Sequence, residues 1–387
     1  MQHRFPILRI TRLALSNWRN FRSVDFLLGQ RSFFVGPNAA GKSNLLDAIR
    51  FLRDIVSVGG GFQEALRARG GLREVRCFAA KKNPNVRLEI DLGDDANLNR
   101  FNYLLEFGVD ATRKSVVVVS ERVSREGRSV LTRPDGHDKG DPKRLTETAL
   151  EQVNANAEFR EVAEFLKSVR YLHVLPEVVR DPKRSSGTDD PFGGDLIERI
   201  ARTPKRSRDA RLKRMEEALQ IAVPQLRNLE LEVDVRGTPH LRAKYDHWRR
   251  DGAWQREDRF SDGTLRLLGL IWSLQEVGGP ILLEEPEMSL NPGVVSEIAP
   301  LVARATFKSR RQSLMTTHSP ELLSNGVALE EVHLLKPSPQ GTVVESAPKL
   351  ASVVALVRAG VPVGEALLPE ARAIGLAKLS QLDLLAT

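Results

Sequence analysis

Near its N-terminus the chain reads Gly36-Pro37-Asn38-Ala39-Ala40-Gly41-Lys42-Ser43, which matches the pattern G-x-x-x-x-G-K-[ST]. A short apolar run, Ser32-Phe33-Phe34-Val35, precedes the first glycine and predicts a buried strand. From Lys42 to about Val56, apolar residues recur at helical spacing. Because a strand leads into the glycines and a helix follows them, a chance turn before a surface helix is disfavoured. The sequence therefore predicts an α/β fold built around a phosphate-binding loop.

A loop of this kind binds phosphate mainly through its own backbone. Its N–H groups and the N-terminus of the following helix point at the anion. Lys42 is expected to reach the β- and γ-phosphates of ATP, and Ser43 is expected to hold Mg²⁺. The expected ATP contacts in this loop are Gly36, Pro37, Asn38, Ala39, Ala40, Gly41, Lys42, Ser43 and Asn44.

A second apolar segment, Ile281-Leu282-Leu283, ends in the carboxylates of Glu284 and Glu285. In a parallel sheet, ligands tend to bind at the carboxyl ends of the strands, where these side chains are expected to lie. One carboxylate can hold the metal, and the other can position or deprotonate the attacking water. The alternative is a strand end followed by a solvated turn. The following residues Pro286-Glu287 and Ser289-Leu290-Asn291-Pro292 count against that alternative.

Two further features suit a phosphate site, although each has an ordinary structural explanation. His318 ends the apolar run Ser313–Thr317 and is expected to sense the γ-phosphate, whereas a lone histidine at a strand end is more often structural. In Phe260-Ser261-Asp262-Gly263-Thr264, Ser261 can cap the helix that follows, and Gly263 lets an anion approach. The alternative for this turn is a helix cap that binds no ligand.

The composition narrows the setting in which the chain works. Its 387 residues suffice for one large domain or two moderate ones. No apolar run approaches the roughly 20 residues that span a membrane, and the N-terminus lacks the apolar core of a signal peptide. We therefore expect a cytoplasmic protein without membrane contact.

Cys77 is the single cysteine, which excludes an internal disulfide. The net charge of +8 permits nucleic-acid contact without establishing it.

The region between the two sets of motifs has a different character. Alternating apolar residues at 86–124 predict antiparallel strands, and residues 146–169 and 196–219 are typical of helices. We expect an N-terminal lobe with the phosphate loop at 1–86, an antiparallel lobe with a helical insertion at 87–256, a C-terminal lobe at 257–346 and a helical tail at 347–387. The densest basic stretch comprises Arg199, Arg202, Lys205, Arg206, Arg208, Arg211, Lys213 and Arg214.

In their order along the chain, these motifs resemble those of ABC-type ATPase heads, and in particular the RecF/SMC/OLD branch and the stand-alone bacterial "AAA family" ATPases. Besides the phosphate loop, the Ser-Asp-Gly turn and the acidic strand end, the resemblance rests on Asn17-Trp18-Arg19-Asn20-Phe21-Arg22 and Thr316-Thr317-His318-Ser319-Pro320. It implies a P-loop NTPase with an ABC-head-like mixed sheet, an antiparallel lobe and a helical lid.

The resemblance also implies catalytic roles. Glu285 matches the catalytic glutamate, His318 the switch histidine, and Glu284 the metal-side acid that works with Ser43. The chain departs from the family in two places. The metal-side acid is usually Asp, and one extra methylene leaves the hydrolysis rate open. Ala39 stands where many relatives have Gly.

Other implied roles concern the contact between two copies. Ser261 and Gly263 match the signature residues that act on the ATP of a partner protomer, and Ser289-Leu290-Asn291 matches the loop at the dimer contact. Arg19 or Arg22 matches an arginine on the nucleotide side of the N-terminal hairpin. The family's glutamine loop has two candidates that the sequence does not separate, and these are Gln63 and Leu175-Pro176-Glu177.

Functionally, the resemblance implies a slow ATPase that forms a homodimer around two ATP molecules and acts as a switch. Its task is expected to be nucleic-acid-associated, such as DNA repair or maintenance, with DNA or RNA as a partner. The alternative is a sensor and scaffold subunit of a bacterial anti-phage defence system. That alternative requires a separately encoded nuclease or effector, since no Asp-x-Asp pair follows Lys336. A transporter subunit is disfavoured by the N-terminal hairpin and the long insertion.

Overall fold

The computed structural model describes residues 8–80, 84–110, 112, 114–181, 190–246 and 253–372. These residues form three sheets on which helices pack. The strands are β1 Arg9–Trp18, β2 Phe21–Leu27, β3 Arg31–Val35, β4 Val86–Gly93, β5 Phe101–Val109, β6 Val116–Arg125, β7 Arg128–Arg133, β8 Arg170–Leu172, β9 Leu226–Val233, β10 Pro239–Tyr245, β11 Ala253–Arg256, β12 Ile281–Glu284, β13 Ser313–Thr317, β14 Val332–Lys336 and β15 Val343–Ser346. The helices are α1 Lys42–Val56, α2 Phe62–Arg67, α3 Leu72–Val75, α4 Gly136–Gly140, α5 Arg160–Lys167, α6 Pro176–Arg180, α7 Leu196–Arg202, α8 Lys205–Ala222, α9 Asp262–Gln275, α10 Pro292–Val295, α11 Ile298–Ser309, α12 Pro320–Leu323, α13 Ala351–Arg358 and α14 Val363–Ala371.

The central sheet carries the phosphate loop. Its strand order is β15-β14-β3-β13-β12-β8, and all neighbouring pairs are parallel except β14 with the edge strand β15. The inner strands are almost wholly buried, as is expected of parallel strands covered on both faces. Because carboxyl ends of parallel strands meet at one edge, the residues that follow β3, β8, β12 and β13 are brought together there.

Helix α1 lies between the central sheet and a second sheet of order β2-β1-β4-β5-β6-β7, in which every pair is antiparallel. On its antiparallel side, the Phe51 ring lies 5.3 Å from the Trp18 ring and 5.6 Å from the Phe107 ring, measured between centroids. Leu282 and Leu314 of the central sheet belong to the same buried cluster. Packing on both sides therefore fixes α1, and with it the loop at its N-terminus.

The opposite face of the central sheet packs against α9. Since successive strand residues point to opposite faces, Leu283 and Met315 enter this second core, where they join Trp272 of α9. The helix that begins at the Ser-Asp-Gly turn is thus anchored to the same sheet as the phosphate loop. The third sheet, β11-β10-β9, lies against α8.

The helix expected at 146–169 is wrong over its first part, since residues 147–156 are not helical. Within the expected range, the helical residues are Thr146, at the end of a 3-10 turn, a second 3-10 turn at Ala157–Phe159, and α5. The buried Glu121 carboxylate accepts hydrogen bonds from the backbone N–H groups of Ala149 (2.7 Å) and Leu150 (3.1 Å). This carboxylate therefore holds the chain in turns before α5 begins.

Other differences are smaller. Residues 196–219 form two helices, α7 and α8, because Pro204 has no N–H and keeps Thr203 extended. The polar stretch at 125–144 forms a hairpin between β6 and β7 and then contains α4. Strands β1 and β2 belong to the antiparallel sheet. The boundaries expected between the lobes stay predictions. The part of the helical tail beyond 372 lies outside the described residues. Among the described helices, none has the length and apolar character needed to cross a membrane.

Candidate active site

The phosphate loop connects β3 to α1, and its two glycines are required by close approaches. A Cβ atom on Gly36 would lie 2.5 Å from the carbonyl oxygen of Leu335 on β14. Gly41 is the N-cap of α1 with φ of 94°, a left-handed conformation that favours glycine. A Cβ atom there would collide with the side chain of Asn20. The loop is therefore pressed against the end of β14 on one side and the N-terminal hairpin on the other.

Asn20 holds the loop in shape, a role the sequence did not reveal. Its Nδ2 donates to the carbonyl oxygen of Ala40 (2.9 Å), and its Oδ1 accepts from Asn44 Nδ2 (2.8 Å). Thr342 Oγ1 donates to the same Ala40 carbonyl at 2.9 Å. Trp18 Nε1 donates to the Asn44 carbonyl at 2.7 Å. The turn between β1 and β2 thus supports the loop from outside, which gives a physical role to the Asn-Trp-Arg-Asn motif.

Lys42, His318 and Glu285 meet at one imidazole nitrogen. Nε2 of His318 lies 2.7 Å from Lys42 Nζ and 2.8 Å from Glu285 Oε1, so the position of its proton decides which of the two it bonds. Lys42 Nζ also donates to the carbonyl oxygens of Gly36 (3.1 Å) and Pro37 (3.3 Å). Burial lowers the pKa of Lys42, while the hydrogen bond to His318 holds the pKa of Glu285 below its usual value. The structure therefore brings together a cation, a histidine and an ionised carboxylate.

Glu285 occupies an uncommon backbone conformation. Its φ is 42°, in the left-handed region that a residue with a Cβ seldom adopts. Its N–H donates to the carbonyl oxygen of Thr316 (3.1 Å) at the end of β13. The neighbouring strand end thus holds the turn that carries Glu285, as is common for strained residues at functional sites.

The metal-side residues also lie in contact. Ser43 Oγ donates to Glu284 Oε1 at 2.5 Å, and Tyr171 OH on β8 donates to Glu284 Oε2. Burial raises the pKa of Glu284. The Arg50 guanidinium lies over the Tyr171 ring, 5.1 Å from its centroid. A hydroxyl beside a carboxylate is a set of hard oxygen donors, and these residues therefore fit a Mg²⁺ ion.

Glu287 ties the acidic turn to the switch strand, which the sequence did not indicate. Its Oε1 accepts hydrogen bonds from Thr317 Oγ1 (2.5 Å) and from the His318 backbone N–H (3.0 Å). Burial raises the pKa of this carboxyl group. Because Glu287 contacts the backbone of His318, it orients the imidazole that touches Lys42 and Glu285.

The Ser-Asp-Gly turn begins α9 at the protein surface. Ser261 is its N-cap: the side chain accepts a hydrogen bond from the Thr264 N–H (3.2 Å), and the residue is exposed. A Cβ atom on Gly263 would lie 2.7 Å from the carbonyl oxygen of Ser289. The turn and the loop Ser289-Leu290-Asn291 therefore lie side by side. The capping role is confirmed, and contact with a partner's phosphate stays a prediction.

Arg19 lies near the loop but is engaged by α1. Its Nη2 donates to Asp47 Oδ2 at 3.0 Å. Together with Arg22, it borders a surface cleft of about 690 Å³ whose lining includes Phe78 and Gln340. Nucleotide contact by Arg19 stays a prediction.

The two candidates for the glutamine loop occupy different places. Gln63 Nε2 donates to the carbonyl oxygens of Val116 (3.0 Å) and Thr146 (2.9 Å). Residues 175–177 instead follow β8, the neighbour of β12 in the central sheet. At this strand end His173 Nδ1 lies 3.2 Å from the Glu284 carbonyl oxygen. The segment after β8, rather than Gln63, is next to the acidic pair.

A family model described as "AAA domain, putative AbiEii toxin, Type IV TA system" matches residues 32–324, more than half of the chain. The chain therefore belongs to this AAA-domain family. No curated protein matches it in sequence.

Solved Smc head domains share its fold. A SmcHead bound to the C-winged helix domain of ScpA has a TM-score of 0.54 at 15% identity, over 87% of this chain and 96% of that one. A second structure is an Smc head domain with an extended coiled coil, bound to the C-terminal domain of ScpA and derived from Pyrococcus furiosus. It has a TM-score of 0.51 at 15% identity, over 91% of this chain and 100% of that one. An Smc head domain with a coiled coil and joint derived from Pyrococcus yayanosii has a TM-score of 0.51 at 13% identity, over 88% of this chain and 97% of that one. The fold is that of an ABC/SMC-like P-loop ATPase head.

Proposed function

We propose that the protein binds ATP with Mg²⁺, hydrolyses it slowly and uses it to join two copies, and that this switch controls a nucleic-acid-associated task such as DNA repair or maintenance. The observation that carries the proposal is the side-chain cluster at the carboxyl edge of the central sheet. There, one nitrogen of His318 lies within 2.8 Å of both Lys42 and Glu285, and Ser43 bonds to Glu284. Such residues can hold the phosphates and a metal ion and position a water molecule, which are the tasks of phosphoryl transfer to water.

Each residue of the cluster has a task in that reaction. Lys42, at the start of α1, balances the charge of the β- and γ-phosphates of the substrate. The low pKa of Glu285 keeps its carboxylate ionised at neutral pH, so it can orient a water molecule and accept its proton. His318 can exchange its hydrogen bond between Lys42 and Glu285. Ser43 and Glu284 would hold Mg²⁺, which would supply positive charge that stabilises the phosphate oxygens.

The substitution Glu285→Gln tests the hydrolytic step. It removes the proton acceptor and keeps the shape of the side chain, so phosphate release is expected to fall by about 10²-fold or more. ATP affinity measured by calorimetry is expected to stay within about twofold, because the substitution leaves the groups that bind ATP in the ground state in place. Glu330→Gln, at an exposed position away from the cluster, is the matched control. Unchanged phosphate release by Glu285→Gln contradicts the assignment.

The dimer is supported by the exposed surface at the start of α9. Ser261, Gly263 and the loop Ser289-Leu290-Asn291 form adjoining parts of one face. The N-terminus of a helix is a ready site for a phosphate. In a two-fold symmetric dimer, the same face of each copy can meet the phosphate loop of the other, which gives two equivalent composite sites.

The nucleic-acid contact rests on a smaller basic surface than the sequence suggested. Arg199 pairs with Glu276 at 2.7 Å, and the Arg211 guanidinium lies 5.4 Å from the Trp272 ring centroid. The exposed cations at the start of α8 and on its surface include Lys205, Arg206 and Lys213. Reversing these three charges is expected to weaken binding of duplex DNA in a gel-shift assay and to flatten its salt dependence. DNA binding that survives the reversal excludes this surface.

A second candidate function is favoured by the family description, which names a toxin of a toxin–antitoxin system. In that case the protein is the ATPase sensor and scaffold of an anti-phage defence system, and a separate nuclease or effector acts on the target. A pull-down with the Glu285→Gln variant in ATP separates the two functions. Recovery of an effector protein in ATP, but not in ADP, supports defence, whereas recovery of nucleic acid with repair proteins supports DNA maintenance.

A further inference from the structure

Arg180, at the end of α6, contacts the Ser-Asp-Gly turn on both sides of Ser261. Its Nη2 donates to the carbonyl oxygen of Phe260 at 2.7 Å and to Asp262 Oδ1 at 2.6 Å. Phe260 is buried, whereas Ser261 and Asp262 are exposed. One guanidinium therefore connects the buried anchor of the turn to its exposed tip.

The contact differs from an ordinary surface ion pair. Exposed pairs contribute little, typically below about 1 kcal/mol, because both side chains must be ordered in water. Here the guanidinium also satisfies a backbone carbonyl, and its side chain is 30% exposed against 53% for Asp262. Both acceptors are held by one nitrogen, Nη2, whose two N–H bonds lie in the guanidinium plane, a fixed plane that the ammonium group of a lysine lacks. The arrangement is therefore suited to fixing the backbone around Ser261.

The element that carries Arg180 is itself well positioned. It follows β8, whose Tyr171 donates a hydrogen bond to Glu284 and whose next residues include His173, in contact with the Glu284 carbonyl. Val174 packs directly on α9, since a Cβ atom on Gly269 would lie 2.7 Å from a Val174 methyl group. Arg180 thus reaches the turn from a segment that is packed against both the acidic strand and α9.

We propose that Arg180 is a positioning residue for the Ser261 turn, and that it acts on the ATP bound by the partner protomer. The inference rests on the proposed ATP-linked dimer, in which each turn completes the partner's site. Without Arg180 the helix cap at Ser261 opens more often, and the turn loses the fixed direction of its N–H groups. Hydrolysis then fails in the composite site, while ATP binding by the phosphate loop of the same protomer is retained.

Substitution of Arg180 tests the role directly. Arg180→Ala is expected to lower turnover about 10- to 100-fold, the cost of a small misplacement at a reacting centre. ATP affinity measured by calorimetry is expected to stay within about twofold. Arg180→Lys, which keeps the positive charge but not the planar guanidinium, is expected to recover only part of the turnover. Arg202→Ala removes an exposed pair with Glu198 and is the matched control, with unchanged turnover.

A second readout reports the turn rather than activity. The Thr264 N–H donates to Ser261 Oγ, so its hydrogen exchange measures how well the turn is formed. In Arg180→Ala this amide is expected to exchange at least several-fold faster, with the melting temperature matching that of Arg202→Ala. Unchanged exchange together with unchanged turnover would overturn the proposal.

Mixing experiments separate failure of this inference from failure of the dimer itself. Arg180→Ala and Glu285→Gln are each strongly impaired alone. A mixed dimer has one complete site, which combines the phosphate loop of the Arg180→Ala protomer with the Ser261 turn of the Glu285→Gln protomer. With random pairing, half of the dimers are mixed and half of their sites are complete, so roughly a quarter of wild-type turnover should return. A mixture of Ser261→Arg with Glu285→Gln should recover turnover to a similar extent. Arg180→Ala mixed with Ser261→Arg should stay inactive, because both lack a competent turn.

Each result has one meaning. Recovery with Ser261→Arg but not with Arg180→Ala overturns the role of Arg180 and leaves the composite site standing. No recovery with Ser261→Arg contradicts the composite site, and with it both proposals. Recovery in both mixtures, with faster exchange of the Thr264 amide in Arg180→Ala, supports Arg180 as a residue that acts in trans.

Discussion

Replacing Asn20 by alanine removes the side chain that connects the N-terminal hairpin to the phosphate loop. The loop loses the hydrogen bond from Nδ2 to the Ala40 carbonyl (2.9 Å) and the one from Asn44 to Oδ1 (2.8 Å). A hydrogen bond contributes about 0.5–1.5 kcal/mol net, so the two together stabilise the ordered conformation of the loop by about 1–3 kcal/mol. The Ala40 carbonyl keeps its bond from Thr342, which places the expected cost toward the lower part of this range.

The loss should appear as weaker ATP binding, because a loop that is not held in its binding conformation must be ordered when ATP binds. At about 1.4 kcal/mol per tenfold, the full range corresponds to a fall in ATP affinity of about 5- to 150-fold, and calorimetry should give a value toward the lower end. Asn325→Ala is the matched control, since its side chain donates to Glu297 at the surface at 3.2 Å. Wild-type affinity in Asn20→Ala would refute the view that the hairpin orders the loop.

Three further substitutions test separate parts of the site. Lys42→Ala should abolish measurable ATP binding in calorimetry, because it removes the cation at the start of α1, and retained binding contradicts its role. Tyr171→Phe should weaken Mg²⁺ dependence, seen as a several-fold higher Mg²⁺ concentration for half-maximal turnover, because Glu284 loses a donor that orients it. Burial raises the pKa of Glu287, so its contribution to stability is present at low pH and is lost as the pH rises through the folded-state pKa. Glu287→Gln should therefore make the fall in melting temperature shallower as the pH rises above about 4.5, the ordinary pKa of a glutamate, and an equally steep fall contradicts this origin.

Sequence patterns predicted the elements whose signals are local. The strand β3, the helix α1 and the loop between them follow from one motif and the flanking apolar periodicity. The acidic strand end at Glu284 and the strand that ends before His318 were predicted in the same way, and parallel pairing of β12 with β13 brings them together. The family resemblance then ordered these parts into an ABC/SMC-like head, which the fold confirms.

What the sequence did not reveal depends on contacts between distant residues. Asn20 bonds to the loop across the hairpin, and Tyr171 reaches Glu284 from a three-residue edge strand too short to show a periodic pattern. The failed helix at 146–169 has the same cause. Its helical spacing is overridden by Glu121, a buried carboxylate on β6 that binds two backbone N–H groups of that stretch.

The central claim is that ATP joins two copies of the chain, and the molar mass of Glu285→Gln tests it most directly. Light scattering of this variant with ATP and Mg²⁺ should give twice the mass of one 43.1 kDa chain. The same variant with ADP should stay monomeric. A Glu285→Gln protein that binds ATP with unchanged affinity and yet keeps the mass of a single chain would contradict the account.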